Sequence, residues 1–181
     1  MDKTKLKRCG ENVTIDEQAL IINPEKISIG DNVRIDAFTK IIGGIGIDIG
    51  NYVHIASFCS IMGGGMCIID DFVTFSYGCR IITGGDNFLG YCMTNPMVPK
   101  KYRPYSETGD IIINKHCILG TNTIVHTDVN LGEGTATGSG TIVTKSLPEW
   151  KIWIGAPARF YKERRKDIIL EMEKELRGGR K

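Results

Sequence analysis

The chain lacks any long apolar run. No stretch approaches the roughly 18 consecutive apolar residues of a helical membrane span, although 41% of the 181 residues are hydrophobic. The first ten residues, MDKTKLKRCG, contain no apolar segment of the secretory kind, so a cytoplasmic protein with no membrane insertion is expected. Charge of one sign is also missing. Lys and Arg number 23 against 21 Asp and Glu, and a net charge of +2 gives no reason to expect a nucleic-acid partner. There are six cysteines but no Cys-x-x-Cys pair, which argues against a zinc ribbon or a redox pair and for reduced thiols. Histidine is scarce as well: His54, His116 and His126 are 62 and 10 positions apart, and no metal is expected.

What the chain does have is isoleucine at a fixed beat. Residues 27–42 (ISIGDNVRIDAFTKII), 47–62 (IDIGNYVHIASFCSIM) and 67–82 (CIIDDFVTFSYGCRII) share one pattern at a period of 20, with three six-residue steps in each copy. Extended in both directions, the beat predicts 18 interior positions between Cys9 and Val143, and 16 of them are Ile, Leu, Val or Phe. The other two, Cys9 and Thr137, are small. A period of six fits neither a helix nor a lone strand. It fits a short strand plus a corner, with one residue in six plugging an interior and Gly or Asn allowing a sharp turn. Three such steps make a triangular coil, and stacked coils make a solenoid.

The beat is interrupted once. After Ile81 the next coil arrives about 24 residues late, at Ile113, so residues 86–110 are read as an inserted loop. Long loops in compact domains are usually functional or disordered, and this one carries Phe88, Tyr91, Tyr102 and Tyr105. The coils then resume at a period of 18 and end at Leu147-Pro148-Glu149-Trp150. A strand-like IWIG (152–155) follows. From Ala158 the apolar spacing of Tyr161, Ile168, Ile169, Met172 and Leu176 reads as helical, with Arg177-Gly178-Gly179 as its stop. The expected organisation is a solenoid over 1–157 and a C-terminal helix and tail over 158–181. Flat solenoid faces suit a closed trimer, for which the outward aromatics Tyr52, Phe58 and Phe72 are contact candidates.

The beat, the segment Gly-x-Gly-Thr-x-Val-Thr-Lys at 138–145 and the closing Ile-Gly-Ala-Pro-Ala-Arg at 154–159 together resemble the hexapeptide-repeat acyltransferases, over nearly the whole chain. The nearest branch is the sugar acetyltransferases of bacterial surface-polysaccharide pathways. The resemblance implies an all-β left-handed parallel β-helix, an exception to right-handed crossovers. It also implies a homotrimer and acetyl-coenzyme A bound along the C-terminal coils. A pantetheine arm needs close backbone approach, which the small residues Thr135 and Ala136 and then Thr137, Gly138, Ser139 and Gly140 offer. Coenzyme A phosphates need cations, for which Lys145, Arg159 and Lys162 are candidates, followed by Arg164 and Arg165. Trp153 and Pro157 would flank the adenine. A zinc-binding carbonic-anhydrase branch of the same architecture uses closely paired histidines, which this chain lacks.

The family's O-acetyltransferases carry a histidine in the loop after the coil matching residues 69–81. Here that stretch reads IITGGDNFLGY, with Asp86 near the expected place. A sugar hydroxyl must be deprotonated to attack a thioester, whereas an amine has a usable neutral fraction near neutral pH, and a carboxylate can orient it. The resemblance therefore favours N-acylation of a nucleotide-linked amino-deoxy sugar. Asp86 and Glu107 would contact the amine, Asp110 is a third candidate, and Asn87, Tyr91 and Tyr102 are acceptor-binding candidates. The alternatives are O-acetylation with His126 or His116 as base, and a non-catalytic scaffold. His54, mid-coil, is read as structural.

Overall fold

The computed structural model describes residues 2–178. They form a left-handed parallel β-helix of about seven turns with one C-terminal helix. Three sheets make the faces of a prism. The first face runs from Arg8–Cys9 through Ile27–Ile29, Gly46–Ile49, Met66–Ile69 and Ile111–Ile113 to Val129–Leu131. The second runs from Thr14–Ile15 to Lys151–Ile154, and the third from Leu20–Ile22 to Ile142–Val143.

Register follows the beat. Ile29 pairs with Ile49, Ile35 with Ile55 and Ile41 with Ile61. Across the insertion Ile69 pairs with Ile113, Phe75 with Leu119 and Ile81 with Val125. Above it the step shortens, so that Ile113 meets Leu131. These side chains stack in columns inside the prism, and Ile35, Ile55, Phe75, Ile81 and Leu119 are wholly buried. Each is worth about 1.5–3 kcal/mol relative to exposure. Cys59, Cys67, Cys79 and Cys117 are also buried, and burial pushes the thiols of Cys67 and Cys117 up to about 12.

The corner between the first and second faces is a ladder of left-handed residues: Asn12, Asn32, Tyr52, Phe72, His116 and Trp150, with φ between +50° and +61°. The four rings follow one another along the solenoid, the first three stacked and Trp150 tilted. Tyr52 and Phe72 are 5.0 Å apart, Phe72 and His116 5.0 Å, and His116 and Trp150 6.0 Å. Gly134 fills the rung below Trp150 because a Cβ there would stand 2.4 Å from the Trp150 ring. The second corner repeats the device with Phe38 and Phe58, stacked at 5.1 Å. The outward aromatics read as trimer contacts thus already have partners within their own chain.

The C-terminal region corrects the sequence reading. Helix α1 spans Asp167–Gly178 and does not begin near Ala158. Residues Arg159–Glu163 instead form a strand that doubles back, antiparallel, on Lys151–Ile154. Phe160 and Tyr161 suit that strand. The expected stop at Gly179 lies outside the described residues. The α1 helix is tied to the aromatic corner: the Glu173 carboxylate meets His116 Nε2 at 2.7 Å, and the Arg177 guanidinium donates to Asp71 at 2.6 Å and lies over the Phe72 ring.

Candidate functional site

The third corner, between the third and first faces, gathers the chemistry. In the lower coils it carries wide turns at Gly43-Gly44-Ile45 and Gly63-Gly64-Gly65. At the next level the chain leaves at Thr83 and returns at Gly109, whose N–H donates to the Thr83 carbonyl at 3.1 Å. Between those points stands a hairpin, Gly84–Asp86 against Ser106–Thr108. Continuing the pairs Arg80–Ile124 and Ile81–Val125 places exposed His126 one coil above Ile82. Continuing Val125–Val143 places Thr144 above His126. Each step is about 4.8 Å.

The hairpin holds two carboxylates. Glu107 lies opposite Gly85 in the register, and Asp86 is the next residue of the same strand. One oxygen of each is engaged within the loop. Asp86 Oδ2 accepts the Asn95 N–H at 3.1 Å, and Glu107 Oε1 accepts from Asn87 Nδ2 at 3.0 Å. A Cβ at Gly85 would meet nothing within 4 Å, so open space faces Glu107. Gly84 is the reverse, with a Cβ there standing 2.5 Å from the Glu107 carbonyl and 2.8 Å from that of Gly63.

Two coils above the hairpin root, Thr144, Lys145, Leu147, Pro157, Ala158 and Arg159 line a cavity of about 320 Å³. The last turn builds it. Ile142 N–H donates to the Gly155 carbonyl and Ala158 N–H to the Ile142 carbonyl, which lays the 155–158 segment across the third face before the chain reverses. Lys145, Pro157 and Arg159 are thus brought together, two cations beside an apolar wall, a donor set that fits a phosphate-bearing ligand such as coenzyme A.

Other candidates fall elsewhere. Thr137 points into the prism, where its Oγ1 meets Gly120 N at 3.2 Å and Thr123 Oγ1 at 2.9 Å, so it lines no groove. Thr135 is buried against the Pro148 carbonyl. Gly138 lies beneath Ile154, whose Cγ2 a Cβ would approach to 2.9 Å. Of the small-residue run only Ser139 and Gly140 are exposed. Trp153, expected to flank the adenine, sits in register above Thr137, half-buried and packed on the core, where it caps the interior. Lys162 projects from the outer strand beside the Tyr161 ring, away from the cavity. Arg164 is turned inward, donating to the His116 and Gly134 carbonyls at 2.7 and 2.8 Å, and Arg165 lines a separate cavity beside Trp150 and Lys151.

Asn87 also departs from its expected role as an acceptor contact. It is buried, and its amide is used on both sides, Nδ2 to Glu107 and Oδ1 from the Tyr91 N–H at 3.1 Å. Tyr91 and Tyr102 remain exposed. Asp110 accepts the Met66 N–H at 3.1 Å and serves the coil turn. His54 bonds Asp36 at 2.9 Å; burial opposes the charge on that carboxyl, yet the bonds from His54 and Arg34 hold it below the usual range. His116, buried between Phe72 and Trp150 and bonded to Glu173, is no base for an acceptor; among the histidines only His126 shares the corner. Among the described residues no cluster of three or more His, Cys, Asp or Glu could hold a metal.

Comparisons with known proteins bear on this corner. No family model matches the chain. A dTDP-4-amino-4,6-dideoxy-D-glucose acyltransferase of Escherichia coli is 39% identical over 86 residues, 48% of this chain and 44% of that one. The match therefore spans less than half of that curated relative. AntD, an N-acyltransferase from Bacillus cereus solved with dTDP and 3-hydroxybutyryl-CoA, is 36% identical at a TM-score of 0.90, covering 97% of this chain and 93% of AntD. A variant of AntD was solved with dTDP-4-amino-4,6-dideoxyglucose and coenzyme A. The AntD variants carry substitutions at a serine or at an aspartate ten positions further along. A hexapeptide-repeat acetyltransferase of Vibrio cholerae, solved with acetyl-coenzyme A, shares the fold at 14% identity and a TM-score of 0.64, covering 91% of this chain and 74% of its own.

Proposed function

Because this chain belongs to the hexapeptide-repeat acyltransferases, we propose that it transfers an acetyl or similarly small acyl group from its coenzyme A thioester to the amine of a dTDP-linked 4-amino-4,6-dideoxy sugar. The observation that carries this reading is the third corner: a hairpin with two half-engaged carboxylates and open space over Gly85, two coils from a cavity lined by Lys145 and Arg159. The activities named for AntD and for the E. coli relative support it. So does a spacing: Ser76 and Asp86 stand ten positions apart, as do the serine and aspartate varied in AntD.

Lys145 and Arg159 bind phosphates of the acyl donor, and Pro157 packs beside them. Asp86 and Glu107 hold the acceptor ammonium and take its proton. The neutral amine then attacks the thioester carbonyl; a C–N bond forms, the C–S bond breaks, and coenzyme A leaves as the thiol with the displaced proton. No covalent intermediate on the enzyme is needed. A backbone N–H of the glycine-rich coils steadies the oxyanion.

Ser76 lies at the far end of the third face from the hairpin root, about 20 Å along the strand direction, so one copy does not bring the two together. A homotrimer about an axis parallel to the stack would bring one copy's second corner beside its neighbour's third. Exposed loop side chains support the same assembly, since Phe88 is 92% and Met97 89% exposed in the single chain. The product would enter surface-polysaccharide synthesis in the cytoplasm.

The test is purified protein with acetyl-coenzyme A and dTDP-4-amino-4,6-dideoxyglucose, followed by release of free thiol. Turnover of the amino sugar, and none with its 4-hydroxyl counterpart, is expected. Loss of activity in Asp86→Asn, with His126→Ala active, is the accompanying pattern. The opposite pattern would establish O-acetylation with His126 as base, the second reading its corner position favours. Absence of coenzyme A binding would leave the chain a scaffold.

A further inference from the structure

Asn87 is unusual in the inserted loop. Its neighbours Asp86, Phe88, Leu89 and Gly90 are exposed, yet Asn87 is only 7% exposed. A buried primary amide needs partners for both its donor and its acceptor. Here Nδ2 donates to Glu107 Oε1 at 3.0 Å, and Oδ1 accepts the Tyr91 N–H at 3.1 Å. One side chain therefore fixes the first turn of the loop and one oxygen of a carboxylate on the opposite strand. A glutamate in solvent samples many rotamers. This one is restrained through Oε1, which leaves Oε2 free, and the residue across the strand pair is Gly85, with nothing within 4 Å of where a Cβ would stand.

We infer that Asn87 is a positioning residue that orients Glu107, so that the carboxylate's second oxygen faces the open space over Gly85 and receives the acceptor ammonium. The inference rests on the N-acyltransferase reading, and it moves Asn87 from contacting the sugar to acting through Glu107. An amide is suited to this place. It donates to the carboxylate, while its carbonyl holds the Tyr91 turn whatever the pH.

The variant that isolates the role is Asn87→Asp. Its carboxylate still accepts the Tyr91 N–H, but it presents an acceptor to Glu107 where a donor stood. Two carboxylates at hydrogen-bonding distance share a proton, and their titration moves upward as a pair. Steady-state kinetics against the amino sugar would be measured from pH 5 to 9, with the Michaelis constant for acetyl-coenzyme A and the thermal midpoint recorded alongside. The expected result is a carboxylate-dependent acid limb of kcat/KM for the acceptor that rises by about one pH unit. The donor's Michaelis constant stays at its wild-type value. In Asn87→Asp/Glu107→Gln the upward movement, relative to Glu107→Gln alone, disappears. Asn87→Ala lowers kcat/KM for the acceptor about tenfold, the loss of one charge-assisted bond, with donor binding kept.

An unmoved acid limb in an active Asn87→Asp overturns the inference. So does a shift that persists without Glu107, or a loss in which donor binding and thermal midpoint fall together, which would make Asn87 a strut of the loop alone. Inactivity of the wild type towards the amino sugar is a separate outcome and overturns the N-acyltransferase reading itself.

Discussion

Gly84 and Gly85 are adjacent in one strand, yet substitution should affect opposite properties. At Gly84 a Cβ would come within 2.5 Å of the Glu107 carbonyl oxygen, 2.8 Å of the Gly63 carbonyl oxygen and 3.0 Å of Thr108 Cγ2. The first two are backbone atoms held in the hairpin and in the coil below, so neither moves cheaply. Forcing a methyl group into such a site costs about 1–3 kcal/mol. For a chain of this length that corresponds to roughly 2–12 °C in thermal midpoint. At Gly85 a Cβ would meet nothing within 4 Å, so Gly85→Val should leave stability within about 0.5 kcal/mol. The added isopropyl group would instead occupy the space facing Glu107. Differential scanning fluorimetry and acceptor kinetics on both variants separate the effects. Gly84→Ala should melt early, and Gly85→Val should melt normally but lose tenfold or more in kcat/KM for the amino sugar. An active Gly85→Val would refute the placement of the acceptor; equal midpoints for the two variants would refute the packing argument.

Further predictions concern the rest of the scaffold and the donor site. Gly134→Ala would drive a Cβ to 2.4 Å from the Trp150 ring at a φ of +66°. It should lower the thermal midpoint well beyond Gly140→Ala, whose φ is +72° but whose Cβ position is empty, as read by tryptophan fluorescence during heating. Lys145→Ala and Arg159→Ala should each raise the Michaelis constant for acetyl-coenzyme A several-fold and leave that for the sugar unchanged. For Glu173, burial opposes ionisation, but the bonds from His116 and Arg177 prevail and hold the carboxyl below its ordinary 4.5. A depressed folded value stabilises the fold above the unfolded pKa, and that contribution fades as pH falls through the folded one. Docking of α1 should therefore weaken below about pH 4.5, seen as a steeper fall in midpoint between pH 4.5 and 3 for the wild type than for Glu173→Gln.

The prism was legible in the sequence because one residue in six has no choice. Ile29, Ile49 and Ile69 fill the same interior column, and a polar residue there would be buried without a partner. The insertion was legible for the same reason, since it is where the column is late. The site was legible only where it depends on chain order. Asp86 and Glu107 stand on the hairpin as their place in the insertion suggested, and Lys145 lines one cavity with Arg159 because the 155–158 segment crosses the third face. Thr137 stands on the beat, which marks it as interior, and the structure buries its side chain there; its Gly-rich surroundings obscure that sign. Trp153, sixteen positions further on, fell outside both observed periods, so its place as cap was not visible. The strand Arg159–Glu163 was hidden because Tyr161 also fits a helical stripe with Ile168. Asn87 stood out only as an acceptor contact, since nothing in the sequence joins it to a partner twenty residues away.

The closed root of the insertion has a consequence for how such a protein can change. Thr83 and Gly109 are bonded to each other much as the ends of any short coil turn would be, and Gly109 is held beneath Thr127 and Asp128, which a Cβ there would approach to 2.1–2.2 Å. The prism below and above therefore registers two fixed endpoints and is indifferent to what lies between them. On the proposed reading, acceptor choice can drift, lengthen or be exchanged wholesale in that segment while the cavity lined by Lys145 and Arg159 two storeys higher keeps its shape. A solenoid with this socket is a chassis: one machine for delivering an acyl group, with an interchangeable tool for receiving it.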